Sequence, residues 1–112
     1  MAKVHNGVCV YTINSPNNLH GTYANERGSD AGVPFTEMAV RTTIPSADPI
    51  EGTYNCSWYE SGTQINGVLN ITKRNPQNVY DLIWTIAGQP TPAYLGVGYI
   101  LNSQLAVHYK SV

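Results

Sequence analysis

Charge is what this chain has least of. Only 12% of its 112 residues are Asp, Glu, Lys or Arg, and the formal net charge is −1; that is about half the usual charged share. The few charges are evenly spread. Residues 1–50 hold Lys3, Arg27 and Arg41 against Glu26, Asp30, Glu37 and Asp48, and residues 51–112 hold three of each sign. No basic stripe exists of the kind that nucleic-acid binding draws on, so no nucleic-acid partner is expected. No apolar run is long enough to cross a bilayer, so no membrane partner is expected either. The start of the chain, Met1 to Asn6, lacks the apolar core of a signal peptide. A cytoplasmic protein and a mature secreted form both fit.

Cysteine is scarce too. Cys9 and Cys56 allow one bridge, which is not a disulfide framework, and Cys56 falls on the apolar face of its segment, where a buried free thiol is the competing reading. His5, His20 and His108 have none of the spacings of a zinc site. There is no Gly-x-Ser-x-Gly elbow, and Gly96-Val97-Gly98 lacks the third glycine and the following helix of a dinucleotide fingerprint. We therefore expect no metal and no cofactor.

What the chain does have is alternation. Tyr54, Cys56 and Trp58 interleave with Thr53, Asn55 and Ser57. Tyr80, Leu82, Trp84 and Ile86 share one parity, with Asp81 and Thr85 on the other. Leu105, Val107 and Tyr109 interleave with Gln104, Ala106 and His108. Period two means half-buried strands, because successive side chains point to opposite faces. Eight strands are predicted, near 7–13, 20–25, 36–43, 52–59, 65–73, 79–87, 93–101 and 104–110. Thr36-Glu37 could instead open a short helix. The connections after Pro49 are short: Glu60-Ser61-Gly62, Asn75-Pro76-Gln77-Asn78, Gly88 to Pro92, and Asn102-Ser103. Short connections imply a meander of neighbours. Such a sheet loses its edges best by closing on itself. The expected fold is one all-β domain over residues 1–112, a small antiparallel barrel of about eight strands, with a two-sheet β-sandwich as the alternative. Gly96 and Gly98 fall on one face of their strand, where they would make room for a Tyr or Trp from a neighbour.

The order Gly52-Thr53-Tyr54, Gly67-Val68-Leu69-Asn70-Ile71-Thr72, Tyr80-Asp81-Leu82-Ile83-Trp84, Gly96-Val97-Gly98 and Leu105-Ala106-Val107 resembles a β module that recurs in bacterial proteins without an assigned activity. More distantly, Gly-Thr-Tyr followed by a meander is similar to the avidin and lipocalin-like (calycin-like) barrels, whose members hold small hydrophobic or amphipathic ligands. The tryptophan spacing and loop residues of avidin's biotin pocket do not align here, so this likeness bears on fold and not on ligand.

An uncharged polar surface with eight tyrosines suits a neutral small molecule, a sugar or a protein partner. Trp58 and Trp84 sit with the buried parities and read as core. Tyr59 and Tyr94 have the opposite parity from the main apolar set of their strands and are the expected ligand-facing aromatics. Asp81, between Tyr80 and Leu82, is the carboxylate best placed for a raised pKa; Glu60 closes a strand after Trp58-Tyr59; His108 lies opposite its strand's apolar set. The expected ligand-binding residues are thus Tyr59, Tyr94, Asp81 and His108, with the loops at 14–35 and 88–93 lining one mouth. The function expected is a binding module without catalysis, holding a small neutral or amphipathic ligand in or at the mouth of the barrel. The alternatives are a protein-interaction or homo-oligomeric assembly protein and, third, a small hydrolase-like enzyme. An interior wholly plugged by Tyr54, Trp58, Leu82 and Trp84 would remove the small-ligand reading.

Overall fold

The computed structural model describes residues 6–15, 18–25, 35–43, 48, 50–60, 62–74 and 78–112. Eight strands follow in chain order: β1 Asn6–Ser15, β2 Asn18–Asn25, β3 Phe35–Arg41, β4 Gly52–Glu60, β5 Thr63–Arg74, β6 Val79–Ile86, β7 Tyr94–Leu101 and β8 Gln104–Ser111. Each pairs antiparallel with the next. Strand β8 returns to β1, with Leu105 opposite Tyr11 and Tyr109 opposite Gly7, and so closes an eight-stranded barrel. Closure decides barrel over sandwich and leaves no unpaired edge. The segment from Thr36 is strand and not helix, because β2 and β4 pair with β3 on either side. Among the described residues, no helix is long and apolar enough to cross a membrane.

The turns follow local chemistry. Asn102 and Ser103 both take positive φ, 51° and 64°, as a two-residue hairpin with the twist of its strands requires. Gly62, at φ 81°, serves the β4–β5 hairpin, where Glu60 pairs with Thr63.

The alternation decides which side chains fill the lumen. Tyr54, Cys56 and Trp58 of β4, Tyr80, Leu82 and Trp84 of β6, and Leu105, Val107 and Tyr109 of β8 all point inward and are buried. Two strands break the pattern. In β3, Glu37 and Arg41 point inward and are buried, while Met38 and Val40 face solvent. In β7, Tyr94 and the two glycines point inward, while Leu95, Val97, Tyr99 and Leu101 line the outer wall. Register explains both cases. Once the neighbouring strands fix the pairing, a strand cannot turn its greasier face inward without a one-residue slip that would flip every side chain. The β7 glycines do make room. A Cβ on Gly96 would lie 2.9 Å from the Trp84 ring, and one on Gly98 2.8 Å from Val107.

One end of the barrel is sealed. Ile50 is fully buried there. The Tyr54 hydroxyl donates to the Ile50 carbonyl (2.7 Å) and accepts from Arg41 Nη2 (2.9 Å). The Arg41 guanidinium stands 5.3 Å from the centre of the Tyr54 ring. Asp48 accepts the N–H groups of Ile50 and Glu51 (both 3.0 Å) and the Tyr80 hydroxyl (2.9 Å), with Lys73 Nζ at 3.5 Å. These donors together hold its carboxyl below the usual carboxylate range despite partial burial. Of the loops expected to share one mouth, residues 16–17 and 26–34 lie outside those described, and residues 88–93 join β6 to β7 at the end opposite Ile50.

Candidate functional site: an aromatic mouth over a buried carboxylate

The other end is open, and its floor is Glu37. This residue pairs across the ladder with Gly21, which in turn pairs with Tyr11. The missing side chain at Gly21 organises the row. A Cβ there would stand 2.8 Å from Cδ1 and Cε1 of Tyr11, so only glycine lets the Tyr11 ring lie flat over β2 and reach β3. The Tyr11 hydroxyl then donates a short hydrogen bond to Glu37 Oε2. From the far wall, Trp84 Nε1 donates to the same oxygen at 3.1 Å, with the Tyr11 oxygen 3.3 Å away. Both donors converge on Oε2. Among the described residues, none donates to Oε1. Burial pushes the Glu37 carboxyl up to about 7, against the opposing pull of the Tyr11 and Trp84 hydrogen bonds.

Above this floor is a recess with a cavity volume of about 20 Å³, room for roughly one group the size of a water molecule. Trp58, Trp84, Tyr94 and Tyr109 form its wall, and Tyr23, Asn25 and Tyr59 complete the rim. The wall is one chain of ring contacts. Trp58 meets Tyr94 edge-on at 6.1 Å between ring centres, Tyr94 meets Tyr109 edge-on at 5.7 Å, and Tyr109 tilts against Trp84 at 5.7 Å. Edge-to-face geometry is what ring quadrupoles favour. Two more glycines seat this wall, Gly67 under the Trp58 ring and Gly7 under Tyr109.

The rim repeats the pattern of the floor. Glu60 Oε2 accepts from Trp58 Nε1 (2.9 Å) and from the Tyr94 hydroxyl (2.8 Å), again one Trp and one Tyr on a single carboxylate oxygen. Tyr23 locks the adjacent strand end, its hydroxyl donating to the Tyr59 carbonyl (2.6 Å) and accepting the Tyr59 N–H (2.8 Å). No Lys or Arg among the described residues lines the recess. The four residues expected to plug the lumen, Tyr54, Trp58, Leu82 and Trp84, are all buried, and two of them, Trp58 and Trp84, form part of the recess wall at this end.

The four residues expected to share a ligand site do not meet. Tyr59 and Tyr94 both line the recess. Asp81 and His108 lie on the outer wall, in a shallow depression between β6 and β8. Asp81 pairs with Val97 and Val97 with His108, which sets their strands two spacings, about 10 Å, apart. Asp81 is taken by Arg74, which donates from Nε (2.8 Å) and Nη2 (2.6 Å). That pairing, and not a dry pocket, sets its pKa, which is lowered and not raised. Glu60 is at the rim, so it does not converge with Asp81 and His108 in one cleft.

The residue that sequence reasoning passed over is Glu37. Its signal was partial: Glu37 and Arg41 share a parity with Phe35 and Ala39, while Met38 and Val40 hold the other. That pattern points charge inward if neighbours set the register. Both cysteines are buried and unbridged, and burial raises the pKa of each thiol, with Glu37 adding to the rise. No group of His, Cys, Asp or Glu suited to a metal occurs among the described residues.

No protein-family model, curated protein or solved structure matches this chain.

Proposed function

We propose that this protein is a binding module without catalysis that holds a small amphipathic ligand at the open mouth of its barrel. The observation that carries this reading is Glu37, a buried residue with both of its donors on Oε2, whose side chain lines an aromatic recess. Its second carboxyl oxygen keeps hydrogen-bonding capacity to spare. Sites of this kind pair a mostly apolar lining with a few converging polar groups. The lumen below is filled, so the ligand sits at the mouth with only its polar tip inside. The exposed Tyr59 ring offers the apolar remainder a surface. The likeness to avidin and lipocalin-like barrels supports the architecture of this reading and says nothing of the ligand.

The test is a fragment titration followed by amide and indole NMR shifts. Binders are expected to move the Trp58 and Trp84 indole N–H signals first. Shifts confined to the outer wall around Asp81 and His108 would overturn the reading.

A second reading, self-assembly, is favoured by one observation. Val8 and Val10 on β1 and Leu95, Val97, Tyr99 and Leu101 on β7 are 38–57% exposed, and they flank β8, whose outward residues are Gln104, Ala106, His108 and Lys110. Exposed apolar strips of this kind mark interaction sites. Light scattering would return at least a dimer, and a compact monomer at high concentration would remove this reading.

A further inference from the structure

We infer that the recess takes the terminal ammonium of a small primary amine, with Glu37 as its counter-ion and the aromatic wall as its sheath. The inference rests on the mouth-binding reading above and names the ligand class.

Four features converge on a cation. The first is the floor. With Oε2 fixed by Tyr11 and Trp84, the carboxylate is pre-oriented, and once ionised its Oε1 has only acceptor capacity to offer. A ligand tip bringing another acceptor would leave two lone pairs facing each other, whereas an ammonium brings three donors. The second is size. A cavity of about 20 Å³ admits one water-sized group, which an –NH₃⁺ is and a ring is not. The third is the wall. Two indoles and two phenols line the recess, an aromatic enclosure of the kind that holds ammonium groups. The fourth is the field. Glu60 adds a second carboxylate at the rim, held by Trp58 and Tyr94. The nearest buried cation on the same strand, Arg41, is sealed under Tyr54 at the opposite end.

The groups facing Glu37 do not titrate in its place. Cys9 and Tyr11 on β1, Cys56 on β4 and Tyr109 on β8 are all raised, each chiefly by burial. Tyr23 on β2, Trp84 on β6 and Tyr94 on β7 complete the surround, with Glu60 at the rim. Between pH 5.5 and 8.5, ionisation of Glu37 therefore governs amine binding. An ionised Glu37 attracts the ammonium, and a protonated one does not.

The test is isothermal titration of the unmodified protein with 2-phenylethylamine and with its neutral analogue 2-phenylethanol, from pH 5.5 to 8.5. Amine affinity is expected to rise roughly 30-fold over that range, the ratio of ionised fractions for a carboxyl titrating at about 7. The alcohol should bind more weakly, with no rise. Glu37→Gln should cost the amine at least about tenfold and flatten its pH profile, and the profile of the unmodified protein decides the matter even if that variant folds poorly. If the alcohol binds as well as the amine with a flat profile, the ammonium inference is overturned and the mouth-binding reading stands. If neither ligand binds at any pH, both fall.

Discussion

The two ends of this barrel each bury a charge from the same strand, and they treat it in opposite ways. At the sealed end, Arg41 lies under the Tyr54 ring. Tyr54 is tied to the Ile50 carbonyl, and Asp48 gathers two backbone N–H groups and the Tyr80 hydroxyl. Ile50 is buried there, and the Ile50 and Glu51 N–H groups both bond to Asp48. At the open end, Glu37 receives two donors on one oxygen, and its side chain lines a recess. The lesson is that burial of a charge does not by itself make a site. A charge enclosed by its own chain is structure, and a charge that lines an aromatic-walled space is a candidate site.

The contrast can be broken at the sealed end first, where the largest effect is expected. Ile50→Ala should lower stability by roughly 2–5 kcal/mol in urea unfolding, as truncation of a fully buried aliphatic does, while leaving the Glu37 recess and its ligand response unchanged. A loss of binding there would mean that the two ends are not independent.

Glu37→Gln sharpens the contrast by its sign. The folded carboxyl titrates at about 7 against an ordinary 4.5, so the folded state keeps a proton that the unfolded chain releases. Stability therefore falls as pH rises from about 4.5 to 7, and stays at the lower level above that. The shift corresponds to about 3 kcal/mol. Melting temperature measured against pH should show that decline in the unmodified protein and lose it in the glutamine variant, so that the variant gains stability relative to the parent above neutrality.

Gly21→Ala probes the support of the floor. The added methyl would crowd the Tyr11 ring at 2.8 Å and should cost roughly 1–3 kcal/mol, as overpacking does, while the Glu37 carboxyl, short of its Tyr11 donor, moves further up. The smallest effect belongs to the outer wall. Asp81→Asn removes an ion pair whose partners are 48% and 42% exposed, and the change should stay within about 0.5 kcal/mol.

Most of the barrel was legible in the sequence, because alternation and short turns are local signals. The eight predicted strands match the observed ones closely, and the connections at Glu60-Ser61-Gly62 and Asn102-Ser103 fall where hairpin chemistry puts them. Of the two β7 glycines expected to make room for a neighbour's ring, Gly96 does so for Trp84, while Gly98 lies against Val107 and Leu105. The site was half legible. Tyr59 and Tyr94 line the recess, but Asp81 and His108 were assigned to it on parity alone, and parity cannot say which side of a closed wall is the inside. In β6 the even residues face the lumen, so Asp81 must face out. In β3 the same logic turns the charges inward. Glu37 escaped notice because its partners, Tyr11 and Trp84, lie 26 and 47 residues away. Only closure brings them together.

The most direct test of the account is the pKa of the Glu37 carboxyl, read from its ¹³Cδ shift by NMR across pH 3 to 9 in the ligand-free protein. A buried floor carboxyl with both donors on one oxygen is expected to show a midpoint raised to about 7. A midpoint at or below the ordinary carboxylate value would mean that water or a cation already completes the group, and the mouth would then have nothing to offer a ligand.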